Sequence, residues 1–146
     1  MADDLYERDF YLWTQAQADA LRARSTNALD FEMLAEEVGD MGKRERNRCI
    51  SLTSRILEHL FMLASTQRDE PVGHWRAEIR AFRASLRLTL TPSIRGDVDE
   101  RLESLHGEAA DLVSEKFSAL EPGAPVLTDR RWTLAQVLGE EDDPLG

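Results

Sequence analysis

Apolar residues recur along this chain at intervals of three and four, the spacing that collects them on one face of an α-helix, and no segment alternates with the two-residue period of a strand. A first helix is predicted over residues 9–24, with Phe10, Trp13, Gln17, Ala20 and Leu21 on one face. Arg22 and Arg24 suit the negative end of its dipole, and Ser25-Thr26-Asn27 ends it. Asp30 is an N-cap for a second helix, whose buried stripe would be Phe31, Leu34, Ala35 and Val38. Gly39 and Gly42 predict a kink or short break.

The longest helix is expected over residues 43–67. It opens on Lys43-Arg44-Glu45-Arg46 and turns apolar through Cys49, Leu52, Ile56, Leu60 and Leu63, so it reads as the central helix. A loop holding Asp69, Pro71 and Gly73 leads to a two-faced helix over residues 74–90. Trp75, Ile79, Phe82 and Leu86 form its apolar stripe, and Arg76, Arg80, Arg83 and Arg87 the stripe beside it. Pro92 suits the first turn of a fifth helix, expected to reach residue 120 with Gly96 and Gly107 weakening it locally. Thr133 followed by Gln136 is a capping box before a short last helix. The pattern predicts an all-α, single-domain bundle of about five helices over residues 1–139, with a short C-terminal helix and an acidic, mobile tail at 140–146.

Length and charge refine this picture. The 146 residues suit one ordinary domain. The net charge of −10 is unevenly spread. Residues 1–42 hold 3 basic and 10 acidic side chains, residues 43–95 hold 11 and 5, and residues 96–146 hold 4 and 13. The basic middle is read as neutralised by its acidic flanks rather than as a surface for nucleic acid, which a net acidic protein repels at long range. The acidic start, the lack of an apolar leader and the absence of any long apolar run predict a cytoplasmic protein that does not enter a membrane. Cys49 stands alone among apolar residues and reads as a buried structural thiol.

Several constellations could carry chemistry. Glu36, Glu37 and Asp40 crowd one side of the second helix, where like charges need an answering group. A divalent cation could answer them, with His59 as an inward ligand, and so could the arginine stripe through bidentate pairing. Glu103-Ser104-Leu105-His106 matches half of a di-iron site, but no second Glu-x-x-His occurs. Glu37 to Asp40, Glu100 to Glu103 and Glu108 to Asp111 imitate the magnesium-binding spacings of helical pyrophosphatases, in an order that does not fit two facing helices. No nucleophile elbow, phosphate-cradling loop or dinucleotide fingerprint is present.

Five ordered segments resemble a known family. They are Asp9-Phe10-Tyr11-Leu12-Trp13-Thr14-Gln15, the run from Leu29 to Val38, Met41-Gly42-Lys43 with Glu45, Trp75-Arg76-Ala77-Glu78-Ile79, and the closing run from Trp132 to Leu138. In these the chain resembles the bacterial domain-of-unknown-function family twenty-nine. The resemblance implies an all-helical fold and a bacterial, cytoplasmic setting, and no activity, substrate or cofactor. With no complete catalytic set and wide apolar stripes, the leading expectation is a non-enzymatic helical module that binds another protein or itself. A metal-dependent hydrolase using Glu36, Glu37 and Asp40 with His59 or His106 is the alternative. Nucleic-acid binding through the arginine stripe is a more distant one.

Overall fold

The computed structural model describes residues 2–146, with side chains from Asp4 onward. Every regular element among them is helical. In chain order these are α1 (Ala2–Arg8), α2 (Phe10–Arg22), a 3-10 turn (Thr26–Ala28), α3 (Phe31–Ser65), α4 (Val72–Thr89), α5 (Pro92–Glu100), α6 (Leu102–Leu120) and α7 (Leu134–Leu138). None of these helices is long and apolar enough to cross a membrane.

The caps explain most boundaries. Asp9 leaves helical geometry and its Oδ1 accepts from the Leu12 N–H at 2.9 Å, so α1 ends and α2 begins around one residue. Asp30 does the same for α3 through the Met33 N–H at 3.1 Å. Thr91 precedes Pro92 at the start of α5. Thr133 and Gln136 form the expected reciprocal capping box of α7. Gly139, at φ 72°, closes α7 in the left-handed conformation that glycine adopts without penalty.

Two predicted boundaries are corrected. No break occurs at Gly39 or Gly42, because α3 runs unbroken through both. A mid-helix glycine costs only about 1 kcal/mol relative to alanine, and the flanking turns of this 35-residue helix outweigh that. The predicted fifth helix instead divides at Arg101, at φ −94° and ψ −1°, rather than at either of its glycines.

The chain divides after Arg44 into two compact units, and the division falls inside α3. In the first unit, Trp13, Gln17 and Ala20 of α2 are buried. Gln17 ties α2 to the connection ahead of α3, donating to the Ala28 carbonyl at 3.2 Å and accepting from the Asp30 N–H at 2.8 Å. The Tyr6 ring meets Trp13 edge-on at 5.0 Å.

The second unit holds the main core. Ile56, Leu57, Leu60 and Phe61 of α3 pack with Ile79 and Leu86 of α4, Val113 and Phe117 of α6, and Val137 of α7. Each such side chain contributes roughly 2 kcal/mol by leaving water. Cys49 is fully buried, with its sulfur 3.4 Å from the Thr89 hydroxyl. The chain end, expected as a mobile tail, is anchored: Leu145 is buried in the core, Asp143 pairs with Arg83, and Glu140 pairs with Arg95.

Candidate functional site

The first unit presents a face that the sequence pattern placed inside. Phe31 and Val38, expected in a buried stripe, are 64% and 66% exposed, and Ala35 is exposed with them. Met41, one turn further along α3, is 60% exposed. With half-buried Leu34 these residues follow a three-four-three spacing, which draws one continuous seam along a helix. Periodicity finds such a seam correctly but cannot say whether the chain itself covers it. On α2, Phe10, Tyr11, Leu12 and Leu21 are also exposed. Seven of the ten large exposed apolar side chains among the described residues therefore lie in residues 10–41.

The carboxylates beside this seam separate in role. Glu37 accepts a hydrogen bond from the Tyr6 hydroxyl at 2.5 Å, and Arg44 lies 3.6 Å from its other oxygen. The bond to Glu37, with the nearby negative charges of Glu37, Glu36 and Glu7, raises the Tyr6 pKa to about 12. Glu36 and Asp40 are exposed. The partners that answer Glu37 within its own unit are thus a tyrosine and a local arginine.

His59, in the second unit, uses both ring nitrogens within that unit. Its Nδ1 donates to the Arg55 carbonyl at 2.7 Å, while Nε2 meets Glu78. The hydrogen bond from His59 holds the Glu78 carboxyl below its ordinary pKa. His74, one turn before Glu78 on α4, approaches the other carboxylate oxygen at 3.4 Å. Glu78 is the partner sequence reasoning missed, and its spacing from His59 offered no signal. Among the described residues, no group of three histidine, cysteine or acidic side chains is arranged to hold a metal ion.

The Glu103–His106 pair is likewise accounted for. Arg131 grips Glu103, with Nε 3.0 Å from both carboxylate oxygens. His106 is buried, donates from Nδ1 to the Leu102 carbonyl at 2.7 Å, and accepts the Trp132 N–H at Nε2 at 3.0 Å. Those two bonds fix one neutral tautomer. Burial lowers the His106 pKa, only partly offset by the bond to Leu102.

Two of the four arginines in the α4 stripe, Arg83 and Arg87, form a clamp. Arg83, read in the stripe beside the apolar one, is 4% exposed. Its Nε donates to the Val137 carbonyl at 2.8 Å and Nη2 to the Gln136 carbonyl at 3.1 Å. Nη1 and Nη2 together hold Asp143 at 3.0 and 2.9 Å. Arg87 reaches the Leu138 carbonyl at 3.2 Å. These cations answer the Val137 and Leu138 carbonyls at the end of α7 and add a second donor to Gln136, which also accepts from the Gly139 N–H at 3.1 Å. Trp75 and Phe82 pack against the core, so they form no stacking platform for bases.

The comparisons agree with this architecture. The domain of unknown function DUF29 matches residues 5–141. The chain belongs to this family. A DUF29 assignment brings no activity with it. A solved structure of an alpha-helical protein of unknown function from Rhodospirillum rubrum is similar, with a TM-score of 0.70 and 28% identity over 95% of this chain and 92% of that one. No curated protein is similar enough to match.

Proposed function

We propose that this DUF29 chain is a binding module rather than a catalyst, and that it acts by pairing the seam of α3 with the same seam of a second copy. The exposure of Phe31, Val38 and Met41 on one side of a helix carries this reading. At roughly 100 Å² each, Phe31, Val38 and Met41 expose some 300 Å² along the seam, the apolar centre of an interface whose rim the flanking polar residues would supply. A unit ending at Arg44 with three buried side chains in α2 also has little core of its own, and units of that size commonly gain stability by association.

Charge favours an antiparallel arrangement. Glu32, Glu36, Glu37 and Asp40 occupy the early turns of α3, and Lys43 and Arg44 follow them within the same unit. Two copies crossing near Met41 in opposite directions set the acidic turns of each against the basic turns of the other. Glu37 and Arg44, which pair at 3.6 Å within the chain, flank the seam seven residues apart on the same side, so in an antiparallel dimer that pairing can be exchanged between the two copies. Gly39 and Gly42 leave open space where a side chain would stand, which permits close approach of another helix.

Sedimentation equilibrium tests the proposal. The expected result is a reversible dimer in the wild type and a monomer for Val38→Glu and Met41→Lys, with helicity unchanged because both side chains are exposed within the single chain. A wild type that stays monomeric at every concentration overturns it. So does a dimer that both variants preserve, since another face would then hold it.

A further inference from the structure

The second unit contains a cleft of about 380 Å³, within the size range of small-molecule sites, and it owes nothing to the proposed self-association. Leu63 and Val72 supply apolar wall. Trp132 stands at one side and is fixed from behind, because its ring stacks on His106 at 6.0 Å and meets Phe61 edge-on at 4.9 Å. Two guanidinium groups, from Arg76 and Arg130, also line it.

What marks these two arginines is that both line one cleft without a carboxylate partner. Arg83, Arg95 and Arg131 each hold a carboxylate. Arg76 and Arg130 hold none within ion-pair distance among the described residues, and the Arg76 Nε is buried with no hydrogen-bond partner. Leaving a buried charged donor unanswered is costly, and the commonest answers are an acidic side chain or a ligand oxyanion. Asp142, whose backbone sits at φ 40°, lines the same cleft and contributes its single opposing charge.

We propose that this cleft binds an organic anion, its oxyanion held by Arg76 and Arg130 and its apolar body lying against Trp132, Leu63 and Val72. Fork-shaped guanidinium donors suit carboxylate or phosphate oxygens, and an aromatic wall suits a flat apolar body. The Asp142 carboxylate sets an upper limit on the affinity for a simple anion by placing one negative charge at the site.

An NMR titration with benzoate, phenyl phosphate and neutral benzyl alcohol, read at the Trp132 indole and the Arg76 Nε–H, tests the site. Saturable shifts at both groups with either anion, and none with the alcohol, are expected; benzoate alone would mark a carboxylate site and phenyl phosphate alone a phosphate site. Arg76→Gln should weaken binding by about tenfold or more, the worth of one charge-assisted hydrogen bond. Arg130→Gln, at an exposed position, should weaken it without touching the core. Asp142→Asn should strengthen it by about threefold, as expected for removing one repulsive exposed charge. Equal shifts with the alcohol, no saturation with either anion, unchanged affinity in Arg130→Gln, or weaker binding in Asp142→Asn would overturn the proposal.

Discussion

Replacing Arg83 by methionine keeps most of the aliphatic stem and removes the guanidinium that joins α4 to α7 and the chain end. In the native protein that group donates to two main-chain carbonyls and holds Asp143 through two further bonds. Breaking a buried ion pair by removing one partner costs about 3–5 kcal/mol. Asp143 keeps 33% of its side chain exposed, so water can take over its oxygens, and the lower end of that range applies. We therefore expect a loss of about 3 kcal/mol for Arg83→Met, equivalent to roughly 9 °C in Tm for a chain of this size. Asp143→Asn removes only the charge of the more exposed partner and should cost about 1 kcal/mol. Urea unfolding followed by far-ultraviolet circular dichroism, at one fixed protein concentration, measures both. Hydrogen exchange at Val137 and Leu138 should quicken in Arg83→Met and hardly change in Asp143→Asn. A loss below about 1 kcal/mol for Arg83→Met, with exchange unaltered, would refute the clamp and return the chain end to a solvated tail.

Glycine substitutions should diverge in sign. A Cβ at Gly139 would stand 2.7 Å from the Arg83 Nη1 on a backbone at φ 72°, so Gly139→Ala should cost about 2–3 kcal/mol by thermal unfolding. Gly39→Ala and Gly42→Ala meet open space in a helix and should each stabilise the monomer by about 0.5–1 kcal/mol, while weakening the dimer seen by sedimentation. The lowered pKa of buried His106 makes stability fall with acid. Above the ordinary value of 6.5 folded and unfolded chains both hold it neutral; below, the unfolded chain takes the proton first. Urea midpoints should therefore decline as pH drops through 6.5, and His106→Phe should flatten that part of the profile. Tyr6 should ionise only near pH 12 in an alkaline absorbance titration, and Glu37→Gln should bring it down.

The sequence made the helices legible because local rules dictate them. Asp30, Pro92 and the Thr133–Gln136 box carry their boundaries in their own chemistry. Gly39 and Gly42 misled because a propensity describes one residue, whereas the 35-residue helix around them adds up many favourable turns. The apolar stripe of Phe31 and Val38 was legible as a stripe but not as an exposed one, since coverage depends on the rest of the fold. Arg83 shows the converse failure. Arginine is almost never fully buried unless paired, and its partners here lie 53 to 60 residues away, beyond any spacing rule. For the same reason the pairing of His59 with Glu78 and the joint lining of one cleft by Arg76 and Arg130 left no trace in the pattern.

That long separation has a consequence for how the second unit assembles. Helical proteins usually fold quickly because their contacts are local. Here the guanidinium of Arg83 must stay hydrated until residues 136–143 arrive, or it would be desolvated without a partner. Closing so large a loop is an entropic toll paid before the clamp yields any gain. The last turn of α7 should accordingly be among the late events of folding. On the ribosome α4 would leave the exit tunnel well before its latch, so a paused or shortened chain would display an unlatched, charged groove to any chaperone nearby.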